Sequence, residues 1–75
     1  MKMYIYTITH DDFGYDCYHG HTIVAENIPQ AVKLAKDKAA DEGKDVWSGA
    51  GVQDHGVYTG ANKEPFILMS DYNAG

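Results

Sequence analysis

The feature that most constrains the fold is a capped, helix-periodic segment, ENIPQAVKLAKDKAADEG, set between two stretches of strand character. Asn27 stands where an N-cap is needed, and Gln30 three residues later completes a capping-box pattern. Pro29 costs little in the first turn, because its missing N–H would have no partner there. From Ile28 to about Glu42, the apolar positions Ile28, Ala31, Val32, Ala35 and Ala39 recur at helical spacing, with Leu34 at the edge of the stripe. Gly43 is a natural stop. So much alanine lets the helix approach a sheet closely while burying little area per residue.

Before the helix, MKMYIYTIT is rich in β-branched and aromatic residues and reads as a strand. The stretch from Asp11 to Gly14 supplies turn chemistry, and CYHGHTIVA reads as a second strand returning antiparallel. After the helix, DVW reads as the start of a short third strand. Four glycines between positions 49 and 60 predict a long loop around GVYTG. FILMS is a short apolar run that reads as a strand buried on both faces, and DYNAG as a frayed tail. The expectation is one α+β domain over residues 1–75, ββα followed by two or three strands. Its antiparallel sheet has about four to five strands, with one helix packed on a face.

Seventy-five residues place the chain near the size at which a single core is barely sufficient. One cysteine excludes an internal disulfide framework. No signal-like leader or membrane-length apolar run is present, which leads to the expectation of a cytoplasmic protein. Six lysines, no arginine and eleven carboxylates give a formal charge of −5. Four of the lysines (Lys33, Lys36, Lys38, Lys44) fall in one short window, so the rest of the chain holds all of the negative excess. Such a chain lacks the guanidinium forks that read phosphates and guanines, which disfavours direct nucleic-acid binding. A basic protein partner is favoured instead, because complementary fields speed and orient association.

HDDFGYDCYHGH, residues 10–21, raises the question of chemistry. A two-residue hairpin loop at Phe13-Gly14 would place His10 opposite Cys17, Ile8 opposite His19, Tyr6 opposite His21 and Tyr4 opposite Ile23. Alternation then puts those eight on one face and Met3, Ile5, Thr7, Tyr18, Thr22 and Val24 on the other. The helix is expected on the aliphatic face, which leaves the tyrosine, histidine and cysteine face open. His10, Cys17, His19 and His21 are metal-ligand types, yet Cys17 to His21 spans roughly 13 Å of strand, too far for those ligands to meet one ion unaided. A histidine–cysteine nucleophilic pair would need an orienting group and an oxyanion site, neither of which is legible. Neither metal nor cofactor is expected. GAGVQDHG lacks the Lys-Ser or Lys-Thr that a phosphate loop needs after its last glycine. His55 beside Asp54 reads as a solvated loop pair.

The remaining signal is aromatic. Six tyrosines, two phenylalanines and one tryptophan exceed what so small a core needs, and tyrosine is enriched at interfaces. Tyr4, Tyr6 and Tyr15, with Asp11, Asp12 and Asp16, are the candidate protein-binding residues. The plainer alternative is a solvated acidic surface.

YDCYHGHTIVAENIPQAVKLAKDKA, followed shortly by a tryptophan, resembles the small ββα-plus-strands proteins of bacteriophages and mobile elements, among them anti-CRISPR proteins. That resemblance implies a non-catalytic, stoichiometric inhibitor, with carboxylates standing where nucleic acid would lie on a Cas protein or complex, acting in the host cytoplasm. It covers most of the chain as a pattern, and no functional residue carries over. DDFGY and ENIPQAVKLAKD also look like the outline of HicB-type antitoxins, although the Pro-Asp-Leu-Pro-Gly-Cys element and a DNA-binding tail are absent. The antitoxin resemblance implies a toxin as partner. A small metal-binding protein built on His10, Cys17, His19 and His21 is the rival of a different class. Monomer and homodimer both remain open.

Overall fold

A computed structural model of the chain describes residues 2–10, 17–39 and 43–73. Two strands, β1 (Tyr4–Thr9) and β2 (Cys17–Ala25), lead into helix α1 (Ile28–Asp37). A single-turn helix α2 (Asp45–Ser48) and two further strands, β3 (Gly51–Val57) and β4 (Phe66–Asn73), complete the chain. All pairings are antiparallel, in the order β3-β1-β2-β4. The fold is α+β, a four-stranded antiparallel sheet with one main helix.

The start of α1 follows from its sequence. Asn27 Oδ1 accepts the Gln30 amide at 2.8 Å, and Gln30 Oε1 accepts the Glu26 amide at 2.7 Å. The first bond satisfies a donor that a helix start would leave unmet, and the second ties the residue before the cap to the first turn. The buried stripe is narrow: Ala31 and Ala35 are fully covered, so the helix lies close against the sheet. The helix ends at Asp37, earlier than expected, and residues 40–42 lie outside the described residues.

The hairpin keeps most of the expected faces but not the expected register; Tyr18, expected among the aliphatic residues, lies instead on the helix side, because the strand is irregular between Tyr18 and Gly20. Tyr4 pairs with Ala25, Tyr6 with Ile23 and Ile8 with His21, two residues displaced from a two-residue loop. An even displacement leaves the paired side chains from Tyr4 to Thr9 and from Gly20 to Ala25 on their faces. What reverses is the covering of those faces. The core joins Tyr6, Ile8, Ile23 and Ala25 of the sheet to Ala31, Ala35 and Trp47, so the helices lie on the tyrosine and histidine face. The physical reason lies in the polar groups. His10 Nε2 donates to the Tyr18 carbonyl, and His21 Nδ1 is hydrogen-bonded to Ser70 Oγ at 2.8 Å, so both imidazoles can be buried. The opposite face presents Thr7, Thr9 and Thr22, whose hydroxyls a covering helix would strip of water.

Three other expectations are corrected. DVW is not strand but helix α2, which drives Trp47 into the core at 0% exposure. The glycine-rich stretch is largely strand β3, held by pairing with β1 from Thr9↔Gly51 to Tyr4↔Val57; that pairing overrides weak intrinsic propensity. FILMS is not buried on both faces: β4 is an edge strand, with Leu68 at 53% and Met69 at 68% exposure. It also continues through Asp71–Asn73, which had read as tail.

Candidate functional site

The side of the sheet away from the helices changes character along its length. At one end Ile5 and Val24 pair and Val24 pairs with Phe66, whose ring meets that of Tyr58 at 5.7 Å. The Tyr58 amide donates to the Met3 carbonyl at 2.9 Å. Val24 and Met3 are buried there. The middle row runs Gln53, Thr7, Thr22 and Met69 across the four strands. Thr7 Oγ1 lies 3.5 Å from Thr22 Oγ1 and 2.7 Å from His55 Nε2. The far row runs Gly51, Thr9, Gly20 and Asp71.

Gly20, with no side chain in this row, leaves a trough. It has a volume of about 520 Å³, and Thr7, Thr9, Gly20, Thr22, Met69 and Asp71 are among the residues lining it. Gly20 sets the floor: a Cβ there would come within 3.0 Å of Thr9 Cγ2 and 3.1 Å of the Ile8 carbonyl oxygen. Asp71 brings the carboxylate, Met69 an exposed thioether wall, and the threonines hydroxyl groups. Such a surface can accept a cation on an apolar stem.

On the helix side the aromatic groups form one stack. Trp47 lies 4.7 Å from the His10 ring and 4.9 Å from the His21 ring, centroid to centroid, and Tyr18 is 4.8 Å from His21. The Tyr18 ring also meets Tyr72 at 4.7 Å and sits under the Lys38 ammonium. The Ser70–His21 hydrogen bond has the spacing of a nucleophile and its base, and 49 residues of separation hid it from the sequence. Ser70 sits in an extended strand, where successive N–H groups point to opposite sides, so neighbouring amides do not converge beside its hydroxyl as an oxyanion site requires. The bond ties edge strand β4 to β2.

Of the residues singled out from sequence, Tyr6 is 5% exposed and part of the core, and Tyr4 is half-buried against it. Tyr6 is therefore no surface anchor. Burial, then the carboxylate of Asp54 and the Tyr4 phenol, raise the Tyr6 pKa above the ordinary tyrosine value. Asp11, Asp12, Tyr15 and Asp16 lie outside the described residues. His10 and His21 are buried beneath Trp47, and Cys17 is buried as well. Among the described residues, no three His, Cys, Asp or Glu side chains are placed to hold one metal ion. Sequence reasoning missed the trough, because its threonines, its glycine and its aspartate come from three different strands.

Among the described residues no helix is long and apolar enough to cross a membrane. Comparison with protein-family models, with curated proteins and with solved structures finds no match to the chain.

Proposed function

We propose that this chain is a non-catalytic, stoichiometric inhibitor of the anti-CRISPR kind, which acts in the host cytoplasm by covering a basic, nucleic-acid-binding surface of a Cas protein or complex. The observation that carries the reading is a sheet face that no helix covers among the described residues, edged by an exposed Met69 and Asp71, on an arginine-free chain of charge −5. A surface of that sign is drawn to the lysines and arginines that otherwise hold phosphates. Bound there, it denies those cations to nucleic acid without any chemical step. Trp47, His10 and His21 of the aromatic stack do not contribute anchors, because their rings are buried.

The test is competition. The purified chain is added to a candidate Cas complex loaded with labelled guide RNA or target DNA, and displacement is followed by anisotropy at two salt concentrations. Displacement at near-stoichiometric ratio, weakened by salt, is the expected result. Failure to displace nucleic acid or to bind any Cas component overturns the reading.

A further inference from the structure

The two edges of the sheet are built differently. In β3 the carboxylate of Asp54 accepts the Gly56 amide at 2.8 Å, Gly56 has a φ of 105°, and the register against β1 shifts between Tyr4 and Tyr6. Charge and irregularity of this kind blunt an edge against further pairing. In contrast, β4 opens with five consecutive uncharged residues, Phe66 to Ser70, and carries neither lysine nor proline. Among the described residues no strand pairs with its outer side. Its own irregularity against β2 falls at Leu68; beyond it, from Met69 to Asn73, the extra residue lies on β2. The regular part of the edge is therefore the part beside the trough.

We infer that the outer edge of β4 takes up an extended segment of a basic protein partner as a fifth strand, whose arginine or lysine side chain lies beside Asp71 and over Met69. This rests on the reading of the chain as a binder of a basic surface. Main-chain hydrogen bonds would supply sequence-independent affinity, and alternate side chains the specificity. A residue opposite Asp71 projects onto the same uncovered face, the geometry in which opposite charges attract across strands. Its aliphatic stem packs on the Met69 thioether, and its head points toward the floor at Gly20 and the Thr22 hydroxyl. Charge selects this occupant over a second copy of the chain. Asp71 is the carboxylate among the trough's lining residues, which include His10, His19 and His21 but no lysine, and residues 11–16, DDFGYD, add three carboxylates and no cation to the sequence between β1 and β2. Pairing β4 with itself would bring together two chains of charge −5.

The probe is the peptide acetyl-Val-Arg-Val-Arg-Val-amide, titrated into the isotope-labelled full chain and followed by amide shifts. Shifts confined to β4 and to Thr7, Thr9, Gly20 and Thr22 are expected, with weaker binding by the same peptide carrying glutamate for arginine. Asp71→Asn should weaken binding on the order of threefold, as for an exposed ion pair. Met69→Lys, at an exposed position, should abolish it with the fold intact. No shift at millimolar peptide, equal binding of the glutamate peptide, or dimerisation through β4 seen by sedimentation would each overturn the inference. In the Cas competition, displacement by the wild type that Met69→Lys leaves unchanged defeats this inference alone. Absence of displacement by the wild type defeats the inhibitor reading instead.

Discussion

The indole of Trp47 stands edge-on to the imidazole of His10, ring centroids 4.7 Å apart and planes at 89°. On its other contact the same indole lies at 38° to His21, 4.9 Å away. One turn of helix, Asp45–Ser48, thus fastens the segment between α1 and β3 to the centre of the sheet. Because α1 offers the sheet only two fully buried alanines, this one side chain supplies much of the core volume that the helix lacks.

Trp47→Ala should therefore remove a large share of the protein's stability. Aromatic truncation in a core costs about 3–5 kcal/mol, against a total of roughly 4–11 kcal/mol for a domain of this length. Urea denaturation followed by far-ultraviolet circular dichroism checks this, since Trp47 is the sole tryptophan. Trp47→Phe keeps part of the packing and should retain a cooperative transition at lower denaturant. A transition in Trp47→Ala that matches the parent would contradict the placement of α2.

Gly20 and Gly49 separate two roles of glycine. At Gly20 an added methyl meets a backbone oxygen as well as Thr9, and the backbone cannot swing aside. Gly20→Ala should cost about 1–3 kcal/mol. At Gly49 nothing lies within 4 Å and φ is −109°. Gly49→Ala should be neutral or stabilise by up to about 1 kcal/mol by restricting the unfolded chain. Paired thermal melts read the difference directly.

What the sequence made legible was local. Asn27, Gln30 and Pro29 define the start of α1 by neighbour chemistry, and that start is found as expected. Alternation sorted Tyr6, Ile8 and Ile23 from Thr7 and Thr22 correctly. Which of those faces would be covered was decided at long range, by Trp47 and by hydrogen bonds such as that of His21 to Ser70, 49 residues apart. For β3, Gly51, Asp54 and Gly56 argue individually against a strand, and the strand exists because β1 offers a partner along most of its length. The trough belongs to the same class of feature, since Gly20 acquires its meaning from Thr9 and Asp71 across two ladders.

Tyr6 gives the protein an alkaline limit. Its pKa is raised in the folded chain, chiefly by burial and then by Asp54 and Tyr4. The unfolded chain therefore releases this proton first as pH rises. The stability linked to Tyr6 is complete below the unfolded tyrosine pKa of about 10 and is lost as pH climbs through the folded value. Tyr6→Phe has no proton to lose there, so its melting temperature should fall less than the parent's between neutral pH and pH 11. A parallel decline in both proteins would show that Tyr6 does not set the limit.

Charge reversal tests the electrostatic part of the proposed function. Asp11, Asp12 and Asp16 follow one another closely in the connection between β1 and β2, and replacing all three by lysine changes the formal charge from −5 to about +1. If attraction to a basic surface guides the encounter, the triple variant should associate with a candidate Cas complex at least about tenfold more slowly at low salt. The difference should shrink as added salt shortens the screening length. Tyr6→Ala should behave differently, lowering the melting temperature because it opens a cavity in the core. Surface plasmon resonance at several ionic strengths, with melts of both variants, distinguishes the two effects. An association rate indifferent to the triple reversal would remove the electrostatic basis of the inhibitor reading.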